Sequence, residues 1–148
     1  MKIEWILLAE GLGQDAKGAL TAIGLNQNVL ATPSLPATTK RAVVARLVAG
    51  DGTLNSGDKV SLRFSVSDPA GQVIAAQTMQ GAIGSCPWPD LPLSTDLPIE
   101  LVLTFQHYGT HKFEVAVQAS DGTEVKDHLD FYVLPPLKAE PGTDQSAV

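Results

Sequence analysis

A single cysteine, Cys86, occurs among the 148 residues, so no disulfide can form within the chain and the staple of small oxidised domains is excluded. Basic residues are scarce too: ten Lys and Arg stand against sixteen Asp and Glu, a formal net charge of -6. A phosphate backbone or an anionic membrane surface is repelled by that balance, so neither nucleic acid nor membrane is expected as a partner. No apolar run approaches the roughly 20 residues of a membrane-spanning helix. Trp5-Ile6-Leu7-Leu8-Ala9 is too short, and too closely bracketed by Glu4 and Glu10, to resemble a secretory leader. A cytoplasmic location is therefore expected. Phosphate-binding loops, dinucleotide fingerprints and G-x-S-x-G elbows are missing, and no apolar pattern of helical period reaches ordinary helix length.

What is present is a period of two. From Ile99 to Leu134 it predicts three strands: Ile99, Leu101, Leu103 and Phe105 share one face, as do Phe113, Val115, Val117 and Ala119, and then Leu129, Phe131 and Val133. Such alternation marks half-buried antiparallel strands. Asp121-Gly122 invites a two-residue hairpin, but that register sets Phe113 against Asp130 and Val115 against His128. A three-residue loop, Ser120-Asp121-Gly122 with Gly122 left-handed, instead pairs Val117 with Val125 and Phe113 with Leu129. Lys112 then lies beside Asp130 and Glu114 beside His128. Asp127 falls opposite Val115 on the inner face, which requires a bulge, a strand end or a polar partner.

Upstream, residues 2–9 and 39–49 are apolar at both parities, as in strands covered on both sides; each could equally offer one face to a second copy or a partner. Residues 18–30 give another strand, in which Gly24 suggests a bulge or a close backbone approach. Thr32-Pro33-Ser34-Leu35-Pro36 reads as an extended segment by which the chain changes sheets. Asp51-Gly52 and Ser56-Gly57 mark a turn-rich connection. Val60, Leu62, Phe64 and Val66 alternate cleanly, and a four-residue loop Asp68-Pro69-Ala70-Gly71 pairs Val66 with Val73, Phe64 with Ala75 and Val60 with Met79. Prolines 87, 89, 92 and 98 make residues 84–98 a long irregular insertion. About eight strands separated by turn signals predict an all-β, antiparallel Greek-key β-sandwich, immunoglobulin-like, over residues 1–134, with 135–148 as a disordered tail.

Tyr108-Gly109 leading into the 111–119 strand resembles the late strands of immunoglobulin-like domains, with Tyr108 as a corner tyrosine; the cysteine pair and core tryptophan of those domains are absent. Gly18-Ala19-Leu20-Thr21-Ala22-Ile23-Gly24-Leu25, Leu35-Pro36-Ala37 and Val43-Val44-Ala45-Arg46-Leu47 resemble a family of short, functionally uncharacterised bacterial proteins. That resemblance implies a single sandwich over about residues 3 to 134 in a bacterial cytosolic setting, and it says nothing about chemistry.

Four places could carry function. Trp88, framed by Pro87 and Pro89, is a stiffly presented aromatic suited to recognition; with Leu91 and Leu93 it forms the predicted partner-binding set, unless the loop folds back and Trp88 caps the sandwich. The doubly apolar strands favour self-association. His107 and His111, four apart and joined by Asp127, could serve a metal- or ligand-binding enzyme at the sandwich end; the simpler reading is a turn flanked by exposed histidines. Cys86 lacks a neighbouring base or cation in sequence. The expectation is a non-catalytic protein-interaction or assembly module, with no cofactor, whose partner is another protein or a second copy.

Overall fold

The computed structural model describes residues 1–50 and 54–138. Nine strands run in chain order: β1 (Lys2–Gln14), β2 (Leu20–Leu25), β3 (Val29–Ala31), β4 (Ala37–Val48), β5 (Lys59–Ser67), β6 (Val73–Ala82), β7 (Ser94–Phe105), β8 (Gly109–Ala119) and β9 (Glu124–Leu134). No helix occurs among the described residues. They form a four-stranded sheet, β2-β1-β4-β7, and a five-stranded sheet, β3-β9-β8-β5-β6. The Asp51-Gly52 turn and the tail from residue 139 onward lie outside the described residues; 135–138 continue past β9 without regular structure.

The inner faces of the two sheets make the core. Val43, Ala45 and Leu47 of β4 and Ile99, Leu101, Leu103 and Phe105 of β7 pack against Val60, Leu62, Phe64 and Val66 of β5 and Phe113, Val115 and Val117 of β8. All four phenylalanines are fully buried. Phe131 stacks between Phe105 and Phe113 at 5.2 and 4.9 Å, and Phe113 meets Phe64 edge-on at 5.6 Å; pairs of this kind contribute about 0.5–1.5 kcal/mol each beyond their buried area.

The β8–β9 register is the expected one. Val117 pairs with Val125, Phe113 with Leu129, Lys112 with Asp130 and Glu114 with His128, across a loop in which Gly122 has a φ of 89°. Asp127 does sit opposite Val115, yet it is exposed. Among the described residues its part of β9 has no neighbour beyond β8, because β3 pairs with β9 only from Tyr132 to Leu134.

Four expectations need correction. The β5–β6 register is slid by two residues: Val66 pairs with Ala75, Phe64 with Gln77 and Val60 with Gly81, with a bulge at Val66/Ser67. The Asp68 carboxylate accepts from the N–H groups of Ala70 and Gln72 at 3.0 and 2.8 Å, which holds open a longer turn; a slide of two leaves every side chain on its face. Residues 18–30 are two strands, not one. Asn26, at a φ of 61°, turns the chain from β2 in one sheet to β3 in the other. Residues 94–98 belong to β7 rather than to the insertion, with Pro98 paired to Val44; β7 is an edge strand, where a missing N–H costs nothing if it faces outward. Finally, β1 extends to Gln14, its first half pairing with β4 and its second with β2.

Gly24 is approached by the Glu10 side chain of β1, not by another backbone. Its φ is 67°, and a Cβ there would meet the Glu10 Cγ at 2.9 Å.

Candidate functional site

Between β6 and β7 the chain forms a proline-stiffened loop pinned at both ends. Ile83 exchanges backbone hydrogen bonds with the 57–58 turn, accepting from the Gly57 N–H at 2.8 Å and donating to the Asp58 carbonyl at 2.9 Å. At the other end the Ala49 N–H donates to the Leu93 carbonyl at 2.8 Å. Leu93 is half-buried and packs on the core, and Leu97 is in it.

Between those anchors the loop does not fold back. Trp88 is 65% exposed and Leu91 56%, and a backbone hydrogen bond from the Leu91 N–H to the Trp88 carbonyl, 3.2 Å, closes a turn that presents both. Trp88, Pro89, Asp90 and Leu91 line an open cleft of about 370 Å³. Pro89, Asp90 and Leu91 also wall a second cleft of about 490 Å³, whose far side is Ala49, Gly50, Leu54, Pro92 and Leu93. The loop is thus an apolar ridge between two hollows, with one carboxylate on its crest.

Cys86 points its thiol at the Trp88 carbonyl, 3.5 Å away. No base or cation bonds it among the described residues, so nothing here would raise its nucleophilicity.

The predicted histidines do not form a metal-ligand group among the described residues. His107 lies in the exposed β7–β8 turn, whereas His111 is 0% exposed, which corrects the reading of a turn flanked by exposed histidines. His111 is inward because it shares the parity of Phe113 and Val115. Its ring meets Phe105 edge-on at 4.8 Å, and its Nδ1 is 3.2 Å from the Gly109 carbonyl. Nε2 is buried without a hydrogen-bond partner. Burial holds the His111 pKa below its ordinary value, against smaller opposing pulls from the Gly109 hydrogen bond and the Asp68 charge, with His107 adding to the depression. Asp127 sits on β9 and bonds its own neighbour, accepting from the His128 N–H at 2.8 Å. Among the described residues no group of three His, Cys, Asp or Glu could hold a metal ion.

Two polar contacts join parts of the chain far apart in sequence. Arg41 is buried on the inner parity of β4, with its guanidinium 5.5 Å from the Phe131 ring centre. It donates to the Gln27 carbonyl at 3.1 Å, the Thr39 hydroxyl at 2.7 Å and the Lys40 carbonyl at 2.8 Å. The signal was its odd position in the series Arg41, Val43, Ala45, Leu47. Tyr108 donates its hydroxyl to the Thr32 carbonyl at 3.0 Å, tying the β7–β8 turn to the β3–β4 crossing across 76 residues rather than closing a local corner.

No protein-family model matches the chain, and no curated protein does. Among solved structures, an X-ray structure of a Northeast Structural Genomics Consortium target aligns over 95% of this chain and 93% of its own, at 9% identity and a TM-score of 0.31. A likeness of that degree bears on neither fold nor function.

Proposed function

We propose that the chain is a non-catalytic interaction or assembly module that works through the Trp88 ridge, in the first instance by binding a second copy of itself. The observation that carries this is the exposure of Trp88 and Leu91 on a loop whose two ends are fixed. A large aromatic held in place by flanking prolines loses little conformational freedom on binding, and residues of that type dominate the energetics of interfaces. Leu93, packed on the core, anchors the ridge. The enzyme alternative, with His107, His111 and Asp127 at one end of the sandwich, is less supported, since His111 faces the core and the other two are on the surface.

The same reading takes the sandwich as an immunoglobulin-like Greek key. Support comes from the sheet composition, from the short β3 lying parallel to β9, and from β1 and β3 standing in opposite sheets. A cytoplasmic setting and kinship with the short bacterial sandwich proteins belong to the proposal and rest on the sequence alone.

Light-scattering mass over a concentration series tests it. Association that rises with concentration and disappears in Trp88→Ala is expected; association that is unaffected by Trp88→Ala would move the interface elsewhere.

A further inference from the structure

On the side of the sandwich away from β6 and β7, the two sheets fail to close. β2 pairs with β1 only at residues 9–14, and among the described residues the earlier half of β1 has no neighbour on that side. β3 pairs with β9 only at Tyr132, Val133 and Leu134, and among the described residues nothing else pairs with β9 on that side from Glu124 to Phe131. Two free strand edges therefore face each other across a seam. Asn26, Asn28 and the backbone between them bridge its upper end, where the Asn26 N–H donates to the Leu8 carbonyl at 3.0 Å and the Tyr132 N–H donates to the Asn28 carbonyl at 2.8 Å. Below that bridge is a cleft of about 380 Å³ lined by Ile6, Leu7, Leu8, Asn26, Asn28, Leu129, Asp130 and Tyr132.

The polar groups of the cleft are unspent. Neither side-chain amide, nor the Asp130 carboxylate, nor the Tyr132 hydroxyl makes a hydrogen bond or ion pair among the described residues. Lys112, directly across from Asp130 in the register, bonds Glu114 instead, at 3.0 Å. Asp127, three residues along the same free edge, has no cation either. Backbone direction alternates along a strand. Since Tyr132 turns its N–H towards the β3 side, the peptide groups of Asp130, His128 and Lys126 face the seam as well.

We propose that this seam is a docking site for an extended, basic segment of a partner protein, which adds as a strand to the free edge of β9 in the line that β3 leaves vacant. Main-chain hydrogen bonds to Lys126, His128 and Asp130 supply affinity, as in other strand additions. The half-buried Ile6 and Leu129 receive apolar side chains on the inner parity, and Asp130 and Asp127 select lysine or arginine. The chain's own charge of -6 favours such a partner over an acidic one. This surface is separate from the Trp88 ridge and stands without it.

The test is an amide NMR titration of the full chain with a ten-residue peptide of alternating lysine and valine, beside the same peptide N-methylated at alternate amides. Shifts at residues 6–8 and 126–132 are expected, with binding lost for the methylated peptide, weakened about fivefold by Asp130→Asn, and unchanged in Trp88→Ala. Shifts confined to other surfaces, or none, would overturn the proposal. So would equal binding of the methylated peptide, which would mean adhesion by charge alone, an undiminished affinity in Asp130→Asn, or the same shifts produced by a neutral disaccharide such as maltose.

Discussion

The two ends of β7 are built to opposite purposes. At Phe105 the strand enters a stack in which Phe105, Phe131 and Phe113 are fully buried, a buried histidine abuts the rings and a buried arginine lies over one of them. At Ser94, eleven residues and about 36 Å away along an extended chain, it emerges from a loop that exposes a tryptophan and a leucine. The closed end commits its aromatics to stability, and the open end leaves its aromatic 65% exposed. A residue that contributes little to folding yet is rigidly held is free to contribute to binding.

The largest effect that would separate the ends is cavity formation. Phe131→Ala removes the middle ring of the stack and is expected to destabilise the fold by about 3–5 kcal/mol in urea unfolding. If it costs under about 1 kcal/mol, the closed end is not the stabilising one.

Proton uptake sharpens the same contrast. The folded chain holds His111 neutral where an unfolded chain, with an imidazole of the ordinary value of 6.5, takes up a proton. The unfolded state then binds more protons, so the contribution of His111 is fully present above pH 6.5 and is lost as the pH falls towards the depressed folded value. Urea midpoints measured from pH 8 downwards should drop more steeply for the native chain than for His111→Phe, and parallel curves would contradict the buried placement.

A smaller loss, about 1 kcal/mol, is expected from Tyr108→Phe, which removes the hydroxyl that anchors the β3–β4 crossing. Thermal unfolding of the two proteins reads it directly. The smallest effect on stability belongs to the open end. Trp88→Ala should change unfolding free energy by no more than about 0.5 kcal/mol, and a larger loss would show that the tryptophan supports the fold after all.

Much of this architecture was legible where two local signals constrained one another. At the β8–β9 turn, Asp121-Gly122 alone favoured the wrong loop, and the demand that Phe113 face Leu129 corrected it. At β5–β6 that check was blind, because a slide of two residues preserves both faces; the Asp68 carboxylate, bonding two N–H groups of its own turn, set the register. Pro98 looked like a strand breaker because its edge position depends on the whole sheet. Asn26 gave no sign that it would adopt a left-handed backbone and split a strand in two.

The polar interior was legible in principle. His111 and Arg41 each continue an inward-facing series by one step, Phe113 and Val115 for the one and Val43, Ala45 and Leu47 for the other. The seam was not legible, since it exists only because β2 and β3 pair with the later ends alone of β1 and β9, two strands far apart in sequence. Exposure of Trp88 depends likewise on which loop residues, here Ile83 and Leu93, reach the core first.

The most direct test of the Trp88 ridge as an interface is the light-scattering mass of the native chain and of Trp88→Ala across a hundredfold range of concentration. The account predicts a mass that climbs from the single-chain value of 15.6 kDa towards twice that for the native protein and stays at the single-chain value for the variant. Equal masses for the two proteins at every concentration would contradict it.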